Sequence, residues 1–190
     1  MSDLASLPPD EPLAPGHYGI EAIGVSAKAL DLALVSVVSG RNAAGLAAAL
    51  QSGLGLALPD GPKLVEANGI AAIGTGPGRW LLATDILSGD ALLTRMQALA
   101  GSFAAVCDQS DASVVYELSG PHVRDTLMKL VLIDIEAFAP GQAATTQAAL
   151  IGVTLWRTDT AYRVLVARSY ELAFLRALAV SAAEFGLAYA

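Results

Sequence analysis

The chain has 190 residues, enough for one generous domain or two small ones, and 54% of them are hydrophobic while only 15% are charged. Its 11 Lys and Arg stand against 18 Asp and Glu, a formal net charge of −7. That balance argues against a nucleic-acid partner, which needs a basic footprint to neutralise phosphates, and against an anionic membrane surface for the same reason. The scarcity of charge has two readings of equal standing: a partner-covered face, depleted of charge as interface centres are, or a high-GC genome favouring Ala, Gly and Arg.

The first segment, residues 1–19, carries Pro8, Pro9, Pro12 and Pro15 with Asp3, Asp10 and Glu11, and no Lys or Arg. It reads as an extended acidic tail or docking arm rather than a secretory leader, which needs a positive start and an apolar core. No later run is apolar for long enough to cross a bilayer; Asp31 and Arg176 interrupt the best ones. Leu30–Val38, apolar on both faces, is expected as a buried strand, followed by a helix over Arg41–Leu50 with Gly53 able to close it. Leu58–Asn68, with Pro59, Gly61 and Pro62, is expected as a loop. Ile70–Gly74 and Arg79–Ala83 read as strands around a glycine-rich turn, Ser88 caps a helix bearing Leu92, Met96 and Leu99, and Phe103–Cys107 is a short strand.

A second round begins at once. Val114, Tyr116 and Leu118 share one strand face, and Ser119-Gly120-Pro121 starts a helix with Val123, Leu127, Leu130 and Val131 inward and Arg124 and Lys129 outward. Strands are expected at Thr145–Leu150, Val153–Arg157 and Tyr162–Ala167. A last helix follows, capped by Ser169, carrying Leu175, Leu178, Ala182 and Phe185, and stopped by Gly186. The fold class is therefore α+β, two split βαβ (ferredoxin-like) halves over 20–108 and 109–190.

Candidate chemistry is sparse. Gly74-Thr75-Gly76-Pro77-Gly78 tempts as a phosphate loop, but Pro77 removes a backbone donor and strand residues rather than a helix follow, so a strand-to-strand turn is the better reading. His17 and His122 have no second His or Cys at ligand spacing, so no zinc site is expected, and His122 reads as a solvated helix-start residue. Asp108 and Asp111 bracket Gln109-Ser110; two acids so close can bind a cation or work as a base pair, yet such clusters more often cap a turn. Cys107 is the single cysteine, read as a buried small hydrophobe in a reducing cytoplasm. Trp156 with Arg157, then Trp80 and Arg124, are the candidate interface residues, since Trp and Arg dominate hot spots. No catalytic, cofactor-binding or metal residue is nominated.

The ordered series of segments resembles a known family. Val106-Cys107-Asp108-Gln109-Ser110 and Leu118-Ser119-Gly120-Pro121-His122-Val123-Arg124 are similar to an element of the aminomethyltransferase (glycine-cleavage T-protein) superfamily. Four further segments narrow the likeness: Gly76-Pro77-Gly78-Arg79-Trp80-Leu81-Leu82, Leu132-Ile133-Asp134-Ile135 with Phe138 and Gly141, Val153-Thr154-Leu155-Trp156-Arg157-Thr158 and Tyr162 through Tyr170. Together they resemble the gamma subunit of heterotetrameric sarcosine oxidase; Ala167 departs from it, standing where Pro is expected.

The resemblance implies a T-protein-like folate-binding-domain architecture and a non-catalytic place in a cytoplasmic flavoenzyme that oxidatively demethylates sarcosine to glycine. It also implies alpha, beta and delta subunits as partners, holding FAD, FMN, NAD, tetrahydrofolate and zinc, with none of these bound by this chain. Two alternatives stand beside it: a stand-alone folate-dependent aminomethyltransferase-like protein, for which Asp108 is the one nominee, and a homo-oligomeric binding module.

Overall fold

The computed structural model describes residues 11–190. In chain order the elements are β1 (Gly16–Tyr18), β2 (Val25–Leu30), β3 (Ala33–Ser39), α1 (Ala43–Leu54), β4 (Leu64–Ala67), β5 (Ile70–Gly76), β6 (Arg79–Thr84), α2 (Gly89–Ala100) and β7 (Ala104–Asp108). There follow β8 (Ser113–Ser119), α3 (Val123–Leu130), β9 (Ala143–Ala148), β10 (Ile151–Arg157), β11 (Tyr162–Ala167), α4 (Glu171–Ala182) and β12 (Leu187–Tyr189), with a 3-10 turn, Arg168–Tyr170, leading into α4.

Two compact units result, and they are not the sequential halves 20–108 and 109–190. One comprises Asp31–Ser113 with Gly141–Thr145; the other comprises the described residues up to Leu30 with Val114–Pro140 and Thr146–Ala190.

In the first unit the sheet order is β4-β5-β6-β3-β7, every adjacent pair antiparallel. With β4 set aside this is the split βαβ order expected of a βαββαβ round. The helices form where the apolar spacing and caps require. Asn42 accepts from the Gly45 amide at 2.8 Å, and Gly55 ends α1 in the left-handed region at φ 64°. Ser88 accepts from Ala91 N in α2. Leu46, Leu50 and Leu54 of α1 and Leu92, Met96 and Ala100 of α2 are buried in one cluster with Val35, Val37, Ala72 and Leu82 of the sheet.

The second unit repeats the plan with one insertion. Its order is β1-β12-β2-β8-β11-β10-β9: β2 lies between the first and last strands of the second round, antiparallel to β8 and parallel to β12. The expected strand over Leu30–Val38 therefore straddles a boundary, since Leu30 ends a strand of one sheet and Ala33 begins a strand of the other. Much of the tail is also structured. Residues 1–10 lie outside the described residues, but Leu13 and Tyr18 are buried and β1 pairs with β12. Gly186 is where α4 hands over to β12. At φ 75°, a Cβ there would meet Ala22 O at 1.6 Å, so the two segments approach backbone to backbone.

Three further expectations are corrected. Leu58–Asn68 is not all loop, because β4 occupies Leu64–Ala67 and closes a hairpin with β5 through Asn68-Gly69. Ser169 does not cap the last helix; it lies in the 3-10 turn, and no side chain caps α4. Phe185 lies beyond α4, stacked on His122 at 4.6 Å between ring centroids, so it is not part of the helical stripe.

Candidate functional site

The glycine-rich turn is explained by packing. A Cβ on Gly74 would fall 1.9 Å from Gly61 O, and Gly74 N donates to Lys63 O at 2.9 Å, so the 61–63 backbone lies directly against β5. A β-bulge at Gly74–Gly76 and a left-handed Gly78 complete the connection to β6. A phosphate cradle needs open amides at a helix start, and here the chain runs strand to strand.

The Asp108 cluster is a turn built for its own backbone. Asp108 Oδ1 accepts from Ser110 N at 2.9 Å and from Ser110 Oγ at 2.6 Å, while Ser110 Oγ accepts from Leu34 N at 3.0 Å. The hydrogen bond from the Ser110 side chain, then that from its amide, holds the Asp108 carboxyl below its ordinary value of 3.8. A carboxylate so engaged, with Asp111 out on the exposed turn, has the geometry of a loop cap. Among the described residues no group of three or more His, Cys, Asp or Glu side chains is placed to hold a metal ion.

The histidines and the cysteine are peripheral. His17 lies within 3.3 Å of Ala22 O, and exposed His122 pairs through Nδ1 with Asp125 at 2.8 Å. Cys107 is exposed, contrary to the buried role read from sequence: it alternates outward on β7, an edge strand, while Val106 turns toward the core.

The four interface nominees separate. Trp156, nominated for an interface against core packing, is fully buried within its unit, and its Nε1 finds no acceptor among the described residues, so its ring packs in the core. Arg157 is half-buried; Nη1 donates to Phe138 O and the guanidinium lies 5.1 Å from the Tyr162 ring, tying the segment before β9 to the β10–β11 hairpin. Trp80 packs partly buried on the first unit's core, and its Nε1 donates to Pro59 O at 2.9 Å, fastening the preceding loop. Arg124 alone of the four is exposed, on the outer face of α3.

Open apolar groups lie elsewhere, outside the four interface nominees. Leu150 is 86% exposed, Leu132 79% and Met128 53%. Each lies within two residues of one backbone junction: Ala149 N donates to Leu130 O at 2.9 Å and Val131 bridges Ala148. The signal available in the sequence was Ala149-Leu150 between two strand-like runs, where a tight hairpin favours Asn-Gly.

Residues 39–184 match the family described as sarcosine oxidase, gamma subunit. The chain belongs to that family. Its fold is similar to a chain of the heterotetrameric sarcosine oxidase from Corynebacterium sp. U-96 in complex with pyrrole 2-carboxylate, with TM-score 0.77 and 26% identity over 88% of each chain. The glycine cleavage system aminomethyltransferase T from Bartonella henselae shares the fold at TM-score 0.64 and 12% identity, across 88% of this chain and 48% of that one. No curated protein matches. No helix among the described residues is long and apolar enough to cross a membrane.

Proposed function

We propose that this chain is the non-catalytic accessory subunit of a heterotetrameric sarcosine oxidase and acts by stabilising the assembly. The observation that carries this reading is the family match over 39–184, joined by the 0.77 TM-score likeness along 88% of a chain from such an oxidase. The internal engagement of Asp108, Trp80 and Arg157 supports a scaffold role, because none of these groups is left poised for a substrate. In this reading oxidative demethylation of sarcosine to glycine takes place on alpha, beta and delta subunits in the cytoplasm. FAD, FMN, NAD, tetrahydrofolate and zinc reside there. Arg124, exposed on α3, is available to those partners.

A permanent interface can make the folding of one subunit depend on another by mass action. Omitting this chain from co-expression with the remaining subunits should therefore lower the yield of flavin-containing complex. Undiminished yield and activity without it would reject the role. The rival reading, a stand-alone folate-dependent enzyme, has less support: the chain spans about half of the aminomethyltransferase it resembles, and Asp108 Oδ1 already accepts from both Ser110 N and Ser110 Oγ. Tight tetrahydrofolate binding by the isolated chain would revive it.

A further inference from the structure

The β9–β10 connection breaks a local rule. Ala149 and Leu150 form a two-residue turn with φ 48° and 69°, the left-handed pair that type I′ hairpins reserve for Asn, Asp and Gly. Nothing in the packing compensates, since the Leu150 side chain stands 86% exposed at the tip. The tip is nonetheless held in place, with Ala149 N on Leu130 O and Ala148 bridged to Val131. A strained, fixed turn that displays a large apolar side chain is the kind of feature function preserves.

Charge decides what can cover it. The hairpin itself is uncharged: from Ala137 to Trp156 the sequence contains no Asp, Glu, Lys, Arg or His, and the exposed acids Asp134 and Glu136 precede that span. The neighbouring Lys129 is paired with Glu184 and also donates to Ser181 O, so it offers no free charge to a partner. A charged partner surface would be desolvated there without compensation, and a lipid surface would find no basic residue in the hairpin to hold it. Strand addition is obstructed as well: β9 is the sheet's outermost strand, but Gln142 bridges Lys63 before it and Ala148 bridges Val131 at its end. What remains is side-chain insertion.

We infer that Leu150, at the tip of the β9–β10 hairpin, is an anchor that inserts into an uncharged apolar socket on another subunit of the oxidase. This rests on the accessory-subunit reading, and it adds the surface and the chemistry of its partner. Anchors of this kind dominate interface energetics because they are fully desolvated on docking.

The test uses the tagged full chain co-expressed with the remaining oxidase subunits, comparing wild type, Leu150→Asp and the double variant Ala149→Asn/Leu150→Gly. The double variant installs the preferred turn, so the chain alone should melt about 2–4 °C higher. Retention of oxidase subunits, identified by mass, should fall at least about tenfold for both variants. Wild-type retention by the double variant would overturn the inference. So would unchanged retention combined with loss of self-association, which would make a second copy the occupant, or with loss of binding to phosphatidylcholine vesicles. Should the wild-type chain itself retain no oxidase subunit, the accessory reading fails first and takes this inference with it.

Discussion

Two hairpin turns in this protein adopt the same backbone shape from opposite residue choices. Between β4 and β5 the turn is Asn68-Gly69, with φ 52° and 75°, and Asn68 Nδ2 donates to Leu54 O at 2.8 Å. Between β9 and β10 it is Ala149-Leu150, with φ 48° and 69°. The first turn uses residues that tolerate left-handed backbone, and its side chain fastens the end of α1. The second uses residues that do not, and displays its side chain to the outside. The contrast separates a turn selected for folding from one selected for contact. Each hairpin region also has its own tryptophan, Trp80 beside the first and Trp156 within the second, and these are the only two in the chain.

The largest expected effect concerns that pair of rings. Trp156→Ala should destabilise the isolated chain by about 3–5 kcal/mol, because a fully buried ring leaves a cavity in its unit. Normal stability with impaired subunit binding would instead restore it as an interface residue. Gly69→Val should cost about 2 kcal/mol by forcing a branched side chain to a positive φ, measured by urea unfolding. The mirror experiment is Ala149→Asn/Leu150→Gly, which should stabilise the chain by about 1 kcal/mol; a loss of stability would remove the contrast between the turns.

Trp80→Phe should cost about 1 kcal/mol through the lost hydrogen bond to Pro59 O, and it leaves Trp156 as a fluorescence probe confined to the seven-stranded unit. The smallest effect is pH-dependent. Asp108 is held below its unfolded value of 3.8, so its contribution is present above pH 3.8 and is lost as pH falls through the folded value. Ser110→Ala, which removes the principal donor, should lower stability at pH 7 more than at pH 3. Equal losses at both would show that the hydrogen bond does not set the carboxyl's acidity.

The helices and most strands were legible because their signals are local. The Leu46–Leu50–Leu54 stripe, the Ser88 cap and the alternation of Val114, Tyr116 and Leu118 each declare themselves within a few residues. The βαββαβ order followed from those elements, and the family resemblance through Trp80, Trp156 and their flanking segments agrees with the family match. The unit boundary was not legible. That β2 inserts between β8 and β12 is set by pairings across most of the chain, which no local pattern announces.

The exposed or buried state of a tryptophan was equally hidden. Trp156 and Trp80 both sit in apolar strands, and only the tertiary fold buries one and half-exposes the other. The β4 hairpin was a different kind of miss. Asn68-Gly69 is the strongest short-range hairpin signal in the chain, and the prolines just before it obscured it.

The most direct measurement is native mass spectrometry, with an absorbance spectrum, on the tagged chain purified from its own cells. A yellow complex in which this chain is one of four different subunits is the expected result. A colourless species containing this chain alone would contradict the accessory role.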